Sequence, residues 1–381
     1  MKVVSRRQIM AESEYFKQLP KVELHAHLNG SLTEKTLEKL GCSESAIAEY
    51  EKLTRTAPTS RSLQECFGLF SQAYNVIKSP ESVYVAARNV IEDFAKDNVI
   101  YLELRTTPRA NVGMTKEDYI EAVVKAIGDH EYKNKILVKL ILSLDRRHSK
   151  EESEKALELI LRMREKYPSV IKGIDLCGNP EEGDFHETIF EKAKQFLGIT
   201  IHCAEVKNDS EVERILMFGP NRIGHGTYLH PEHGGSQKNW ELYLEKKIPL
   251  ECCLTSNIIC GTTKSYQDHH VRHWLDLKLP FSICTDDKGV FGTTLTKEYT
   301  LVQRHFDKIP ENLWKMTYDS ISHSFASERE KQDLQDQLIR WFNVCHPKIV
   351  STIQNAYNNY TPADLDILLE EHQRDVYIND I

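Results

Sequence analysis

The chain has 381 residues, with 57 acidic and 49 basic side chains, so its formal net charge is −8. A general nucleic-acid binder needs a basic field that this balance lacks, although a few local arginines can still hold a small phosphate. Hydrophobic residues make up 40 % and charged residues 28 %, as in an ordinary globular protein with a large core. We therefore expect a small-molecule partner and no nucleic acid.

The N-terminus and the cysteines both bear on the compartment. The first eight residues are charged but no apolar stretch follows them, which argues against a secretory signal, and no run approaches the length of a membrane span. The nine cysteines are odd in number and form no CxxC pair, so a disulfide framework is not expected. We expect a cytosolic protein with no membrane partner.

Eight short apolar runs follow one another along the chain, and each predicts a β-strand. Because the runs are continuous rather than alternating, they indicate strands buried on both faces, as in a parallel sheet. The runs occupy residues 22–27, 99–105, 136–144, 170–176, 199–202, 222–224, 248–254 and 281–285.

Helical patterns separate these runs. Ser79 with Pro80 predicts one helix start, and Ser149 with Glu152 predicts a capping box at another. The segment 31–78 is too long for one crossover and predicts several short inserted helices. Further helices are predicted over residues 116–127, 186–196, 210–218, 237–246 and 267–277.

Strands alternating with helices predict an α/β fold. An open doubly wound sheet could also hold eight strands, but polar residues at the strand ends favour a closed TIM (β/α)8 barrel of the metal-dependent hydrolase type with helical insertions. We expect a single catalytic domain over residues 1–345, with the insertion at about 31–78, and a polar, acidic extension over 346–381. No extra apolar helix is apparent, which favours a monomer.

Histidines and carboxylates gather where these strands end. His25 and His27 end the first strand and, as alternate residues, point the same way. His202 ends the fifth strand and Asp286 the eighth. The C-terminal ends of barrel strands meet where catalytic groups converge. Three neutral imidazoles and one carboxylate suit a zinc ion, which would lower the pKa of a bound water.

Three more polar residues lie beside these ligands. Glu205 follows His202 by three residues and could donate a proton to a substrate. His225 ends the sixth strand and Asp287 follows Asp286, so both could orient or deprotonate the water. A lone strand histidine is more often a packed residue, so the shared position of the whole group carries this interpretation.

The chain here resembles the adenosine and AMP deaminase family of the amidohydrolase superfamily. The opening motif VELHAHLNGS (22–31) is followed in the family's order by HCAE (202–205), RIGHG (222–226), LTSN (254–257) and CTDD (284–287). The resemblance spans about residues 19–326. It implies a zinc-dependent purine deaminase whose metal is held by His25, His27, His202 and Asp286.

The resemblance also implies catalytic roles. Glu205 would protonate the purine ring at N1, His225 would act as a base or an electrostatic anchor for the metal-bound hydroxide, and Asp287 would contact substrate or water. The backbone of Gly178 would meet the purine ring. The product would be a 6-oxopurine, formed through a tetrahedral carbon at C6.

Several residues distinguish this chain within the family. Adenosine deaminases usually carry aspartate where this chain has Asn29; a carboxylate would repel a 5′-phosphate, whereas an amide can donate a hydrogen bond to it. Hydroxyl and guanidinium groups follow the second and third strands, a good set for phosphate. They lie in two runs, Thr106-Thr107-Pro108-Arg109 and Asp145-Arg146-Arg147.

Together these features resemble the adenosine deaminase-like branch, which implies hydrolysis of N6-methyl-AMP to IMP and methylamine. Tyr74 departs from this branch, some of whose members have histidine there, and core packing is its other interpretation. Arg146 and Arg147 fit a solvated charged loop equally well. The implied substrate contacts are His27, Asn29, Tyr74, Thr106, Thr107, Pro108, Arg109, Asp145, Gly178 and Asp287.

Other functions stay open. The nearest is an adenosine deaminase that acts on nucleosides, which kinetics would separate from a nucleotide deaminase. A catalytically inactive barrel serving as a binding or scaffold protein is another, although no ligand of the predicted metal site is broken. A secreted deaminase with growth-factor activity is disfavoured by the absent signal sequence and the cysteine pattern.

Overall fold

The structure is a computed structural model that describes residues 14–55, 63–132, 134–306 and 310–345. The chain divides into two compact units, Met1–Lys331 and Gln332–Ile381. The predicted extension 346–381 lies outside the described residues, so the boundary at residue 345 stays a prediction. No helix among the described residues is long and apolar enough to cross a membrane.

Eight parallel strands form one sheet in the order of the chain. A bridge between Ala26 and Asp286 links the end of the first strand to the segment just after the last, so the sheet nearly closes. The predicted (β/α)8 barrel is thus confirmed. The strands are β1 (Lys21–His27), β2 (Val99–Thr106), β3 (Leu137–Asp145), β4 (Ile171–Cys177), β5 (Gly198–Cys203), β6 (Arg222–His225), β7 (Leu250–Cys252) and β8 (Phe281–Ile283).

Burial explains why these runs form strands of a barrel. All residues of β2 are buried, as are all but one of β1, because helices cover one face of the barrel and side chains fill its interior. The predicted strand over 248–254 is too long, since β7 ends at Cys252 and Leu254 begins a helix. A short buried helix and a buried strand have the same apolar composition, so hydrophobicity alone cannot separate them.

Helices alternate with the strands as predicted. The capping box at Ser149 is present, with the Glu152 amide donating to Ser149 Oγ at 3.2 Å. The predicted helices over 186–196 and 267–277 are shorter in the structure. The helices are α1 (Glu34–Lys39), α2 (Glu44–Arg55), α3 (Leu63–Val76), α4 (Pro80–Lys96), α5 (Lys116–Asp129), α6 (Lys150–Lys166), α7 (Glu187–Ala193), α8 (Asp209–Phe218), α9 (Gln237–Lys246), α10 (Leu254–Ile259), α11 (Val271–Asp276), α12 (Leu295–Phe306), α13 (Pro310–His323) and α14 (Glu328–Cys345).

Phe325, in the loop after α13, packs at the N-terminal end of the barrel. A Cβ on Gly198, the first residue of β5, would lie 2.4 Å from the Phe325 ring, so this close approach requires glycine. The Arg222 guanidinium lies 3.9 Å from the centroid of the same ring. This end is therefore filled by packing, and the pocket lies at the opposite end.

Candidate active site

One pocket at the C-terminal ends of the strands collects most of the predicted site residues. His25 lies fully buried behind the pocket, and Pro108 is buried in the loop after β2 and does not line it. The predicted residues that line the pocket are His27, Asn29, Tyr74, Thr106, Thr107, Arg109, Asp145, Gly178, His202, Glu205, His225, Asp286 and Asp287.

The deepest side of the pocket, with His25 buried behind it, forms what we call the floor cluster: His25, His27, His202, His225 and Asp286. His27 Nε2 lies 3.2 Å from His202 Nε2 and 3.4 Å from Asp286 Oδ1. His25 Nε2 lies 3.4 Å from that same oxygen. Ligand atoms of His25, His202, His225 and Asp286 all lie within 4.8 Å of one another. The structure therefore brings the four predicted ligands together with His225.

Hydrogen bonds orient two of these imidazoles. His25 Nδ1 lies 2.6 Å from Glu251 Oε2, and His202 Nδ1 lies 3.0 Å from Asp175 Oδ1. A neutral imidazole that donates from Nδ1 keeps a bare lone pair on Nε2, and metal-ligating histidines commonly have such a carboxylate partner. His25 Nε2 is buried and has no hydrogen-bond partner among the described residues. This orphaned nitrogen and the donor set fit a divalent metal ion.

Buried charges beneath the floor cluster keep these carboxylates ionised. Burial would raise the pKa of the Glu251 carboxyl, but Arg105 and Arg222 hold it well below its usual range. Their nitrogens lie 2.8 Å and 2.6 Å from Glu251 oxygens. Removing one partner of a buried pair typically costs about 3–5 kcal/mol, because the remaining charge is left uncompensated. The orientation of His25 thus depends on a network inside the barrel.

His27 is held neutral by its surroundings. Burial lowers the pKa of its imidazole well below the usual range, and the neighbouring His202 and His25 lower it further, while Asp286 acts in the opposite direction. A metal ligand must be the neutral imidazole, so this environment suits coordination.

The proton-handling residues lie next to the floor cluster. His225 Nε2 is 3.5 Å from Glu205 Oε2 and 3.9 Å from Asp286 Oδ2. With the Asn257 amide assigned as the donor, its nitrogen lies 3.2 Å from His225 Nδ1, which places the imidazole proton on Nε2. Ser256 Oγ donates to Asp286 Oδ2 at 2.8 Å. The LTSN motif therefore supports both His225 and Asp286.

Three residues just at or after strand ends adopt left-handed backbone conformations. The φ angles are 57° at Ala204, 62° at His225 and 59° at Asp286. Such angles are uncommon for residues other than glycine and cost energy, so they persist where the surrounding structure imposes them. Each one turns the chain at the pocket, between the strand and the loop that carries a site residue.

The side chain of Asp287 packs closely against Gly30, in the loop after β1. A Cβ on Gly30 would lie 1.7 Å from Asp287 Oδ1, so only glycine can occupy that position beside this carboxylate. The NG pair of the opening motif thus supplies both Asn29, which lines the pocket, and the space for Asp287.

The more exposed side of the pocket, which we call the pocket mouth, carries Asn29, Tyr74, Arg109, Asp145 and Arg147. The Arg109 guanidinium lies 3.4 Å from the centroid of the Tyr74 ring, a cation–π contact. Tyr74 is only partly buried and lines the pocket, which favours a role at the pocket over core packing. Asn29 Oδ1 accepts a hydrogen bond from the Tyr119 hydroxyl at 3.4 Å, which leaves its amide nitrogen as the donor group.

The two arginines after Asp145 have different environments. Arg146 is buried and donates to Glu211 at 3.1 Å and to the His202 carbonyl at 3.3 Å, so it does not line the pocket. Arg147 lines the pocket, its side chain is 50 % exposed, and its Nε lies 2.9 Å from Asp145 Oδ1. Burial is the largest single influence on the pKa of Asp145 and raises it, but the hydrogen bonds and positive charge of Arg147, with the nearby His148, together outweigh burial and lower the pKa.

Sequence reasoning missed the residues that support the ligands. Glu251 and Asp175 each stand between two apolar residues of a strand, and a carboxylate flanked in this way is the sequence signal that could have identified them; both are fully buried in the structure. Ser256 and Asn257 were visible as part of a motif but received no role. Residue types alone do not reveal which imidazole each of these groups contacts.

Known proteins share the sequence and the fold of this chain. Residues 20–341 match the family model described as adenosine deaminase. The adenosine deaminase-like protein of Drosophila melanogaster is 40 % identical over 332 residues, which cover 85 % of this chain and 97 % of that protein. The human N6-methyl-AMP deaminase is 36 % identical over 341 residues, which cover 87 % of this chain and 96 % of that protein. The crystal structure of Arabidopsis ADAL complexed with IMP superposes with a TM-score of 0.76 at 35 % identity, covering 86 % of this chain and 98 % of that one.

Proposed function

The chain belongs to the adenosine deaminase family, hydrolases of C–N bonds, and we propose that it is a zinc-dependent deaminase of the free nucleotide N6-methyl-AMP. The reaction takes N6-methyl-AMP and water to IMP and methylamine. The name of the human relative and the IMP bound by Arabidopsis ADAL support a nucleotide rather than a nucleoside.

The observation that carries the proposal is that a single pocket joins the floor cluster to a mouth suited to phosphate. Arg109 offers a guanidinium and Asn29 an amide donor, both on the pocket wall. Neither group would repel a 5′-phosphate, and hydrogen bonds from guanidinium to phosphate are among the stronger ones in proteins. The purine would then extend inward, with C6 toward Glu205 and His225.

His25, His27, His202 and Asp286 would hold one zinc ion. When bound, the ion would lower the pKa of a water molecule and so supply hydroxide near neutral pH. Glu251 and Asp175 would orient His25 and His202 for this task by accepting their Nδ1 protons.

The remaining side chains handle protons. Glu205 protonates N1 of the purine as C6 becomes tetrahedral, so that negative charge does not accumulate on the ring. His225, with its Nε2 proton directed to the side of Glu205 and Asp286, anchors the attacking oxygen electrostatically. Asp287, which also lines the pocket, holds the substrate or the water. Gly178 contributes backbone to the purine site.

Other features of the protein remain proposals of the same kind. We propose a monomer in the cytosol that acts on a small molecule and has no nucleic-acid or membrane partner. The acidic net charge supports the absence of a nucleic-acid partner, because it provides no basic field. The catalytic domain would cover residues 1–345, with 346–381 as an extension.

A paired-substrate assay tests the proposal. We expect a higher kcat/KM for N6-methyl-AMP than for N6-methyladenosine or adenosine, with IMP and methylamine as products in equal amounts. Equal or better turnover of the nucleosides would favour an adenosine deaminase. Absence of both turnover and bound zinc in the purified protein would instead favour an inactive barrel with a binding role.

A further inference from the structure

A second group of metal-ligating side chains lies outside the pocket, and we call it the Cys252 cluster: Cys252, His269 and His270. All three residues are fully buried. The Cys252 Sγ and one ring nitrogen of each histidine lie within 4.8 Å of one another. None of the three lines the active-site pocket. The deaminase chemistry therefore gives no reason for placing them together.

The cluster lies on the outer side of the barrel wall. Glu251 points into the barrel, where it contacts His25, Arg105 and Arg222. Successive residues of a strand point to opposite faces, so Cys252 points outward, toward the helical layer. His269 and His270 come just before α11 in that layer. The cluster thus joins a strand to the start of a helix.

His270 already has the hydrogen-bond pattern of a metal ligand. Its Nε2 lies 2.8 Å from the carbonyl oxygen of His225, so Nε2 must carry the proton and donate it. Nδ1 is consequently a bare lone pair, and it is buried without a hydrogen-bond partner among the described residues. Ligating histidines commonly donate their other ring N–H to a backbone carbonyl in this way.

His269 also has a buried nitrogen, Nε2, that lacks a hydrogen-bond partner in the described part of the chain. Its Nδ1 accepts a hydrogen bond from the Val271 amide at 3.2 Å. The ring proton is therefore on Nε2. To bind an ion through Nε2, His269 would move this proton to Nδ1, and the hydrogen bond from the Val271 amide would be replaced by a bond to the metal. Each histidine of the cluster thus has one buried ring nitrogen without a hydrogen-bond partner among the described residues, which is costly in a core, and a bound cation would remove that cost.

We propose that Cys252, His269 and His270 form a second metal site, for a thiophilic ion such as Zn²⁺. Binding converts the Cys252 thiol to a thiolate and releases its proton to solvent, while the two imidazoles bind as neutral ligands. The half-buried His233, whose ring centroid lies 6.0 Å from that of His270, gives the ion a polar route from the surface. The ion would hold His270 against the His225 carbonyl and thereby support the backbone of a pocket residue.

Cobalt titration of the metal-free protein tests this site. The floor cluster offers only nitrogen and oxygen ligands, so a thiolate-to-cobalt charge-transfer band in the near ultraviolet requires a cysteine ligand, and its loss in Cys252→Ala assigns it to the Cys252 cluster rather than to Cys177 or Cys260, which line the pocket. We expect the wild-type protein to show this band and to bind one equivalent more than Cys252→Ala, which should lack the band. Cys253→Ala is the matched control, since this neighbouring cysteine is also buried but lies outside the cluster. It should keep the thiolate band and the additional equivalent of bound cobalt.

Two further arms separate this inference from the deaminase proposal. His27→Ala should weaken metal binding at the floor cluster and keep the thiolate band. Zn²⁺ should displace cobalt and abolish the band. If the wild-type protein binds cobalt without any thiolate band, the second site is wrong. This outcome does not depend on whether Cys252→Ala folds. The deaminase proposal would still stand if the wild-type protein turned over its substrate.

Discussion

The floor and the mouth of the pocket are built in different ways. At the floor, His25 and His202 are buried and each is held by a buried carboxylate. At the mouth, Arg109 rests on the Tyr74 ring and Arg147 pairs with Asp145 while half exposed. The floor geometry is fixed before any ligand arrives, whereas the mouth side chains can rearrange around one.

This difference has energetic consequences. A side chain of the floor cannot be truncated without leaving a buried charge or an unpaired nitrogen, whereas exposed ion pairs are typically worth only about 0–1 kcal/mol. Under the proposed function, the rigid floor would carry the chemistry and the adaptable mouth would select the substrate. Substitutions at the floor should change metal binding and kcat, and substitutions at the mouth should change discrimination between substrates.

The largest effect is expected at Glu205. Glu205→Gln keeps the shape of the side chain but removes the proton donor, so kcat should fall by about 10²- to 10⁴-fold. Metal content, measured by elemental analysis, should stay at the wild-type level. Glu232→Gln, on the exposed surface, is the control and should be active. If Glu205→Gln retained full turnover, the assigned proton donor would be wrong.

A smaller effect is expected beneath the floor, at Asp175. Asp175→Asn weakens the hold on His202 Nδ1 and should lower metal affinity by about 10- to 100-fold, as for other carboxylate partners of ligating histidines. Chelator competition measures this change. Ser143→Ala, which removes only the hydroxyl that donates to Asp175 at 3.0 Å, should have a smaller effect. Unchanged affinity in Asp175→Asn would mean that the floor is not organised by this carboxylate.

At the mouth, Arg109→Ala should affect the nucleotide selectively. Loss of a hydrogen bond to a charged phosphate costs about 1.5 kcal/mol, so kcat/KM for N6-methyl-AMP should fall roughly tenfold. The value for N6-methyladenosine, which has no phosphate, should change little. Arg162→Ala removes an exposed arginine far along α6 and is the matched control. Equal losses for nucleotide and nucleoside would show that Arg109 does not contact phosphate.

The sequence predicted the floor better than the mouth, for a physical reason. A single strand histidine is more often a packed residue, but parallel strands bring their C-terminal ends together, so the shared position of His25, His202 and Asp286 at predicted strand ends placed them in one site. The barrel itself followed from apolar runs that alternate with helices. Periodicity does not distinguish short strands from short helices, which is why the run ending at Leu254 was assigned as strand.

Contacts between side chains that are distant in sequence could not be predicted from apolar patterns or from positions at strand ends. Glu251 is 226 positions from His25, and no local pattern links them. Arg146 and Arg147 are adjacent and chemically identical, yet one is buried against Glu211 and the other lines the pocket. Which way each points depends on tertiary packing of the loop after β3. Tyr74 likewise required the structure, because its partner Arg109 lies beyond the next helix and strand.

The smallest expected effect concerns Tyr74 and decides whether the mouth is organised by its ring or by its hydroxyl. Tyr74→Leu removes the cation–π contact with Arg109, which is worth about 0.5–1 kcal/mol at an exposed site, so KM for N6-methyl-AMP should rise about two- to fivefold at unchanged kcat. Tyr74→Phe keeps the ring under the guanidinium and should behave as wild type. Steady-state kinetics of both variants give the answer. If Tyr74→Phe were as impaired as Tyr74→Leu, the hydroxyl would contact the substrate directly, and the mouth would be as specifically built as the floor.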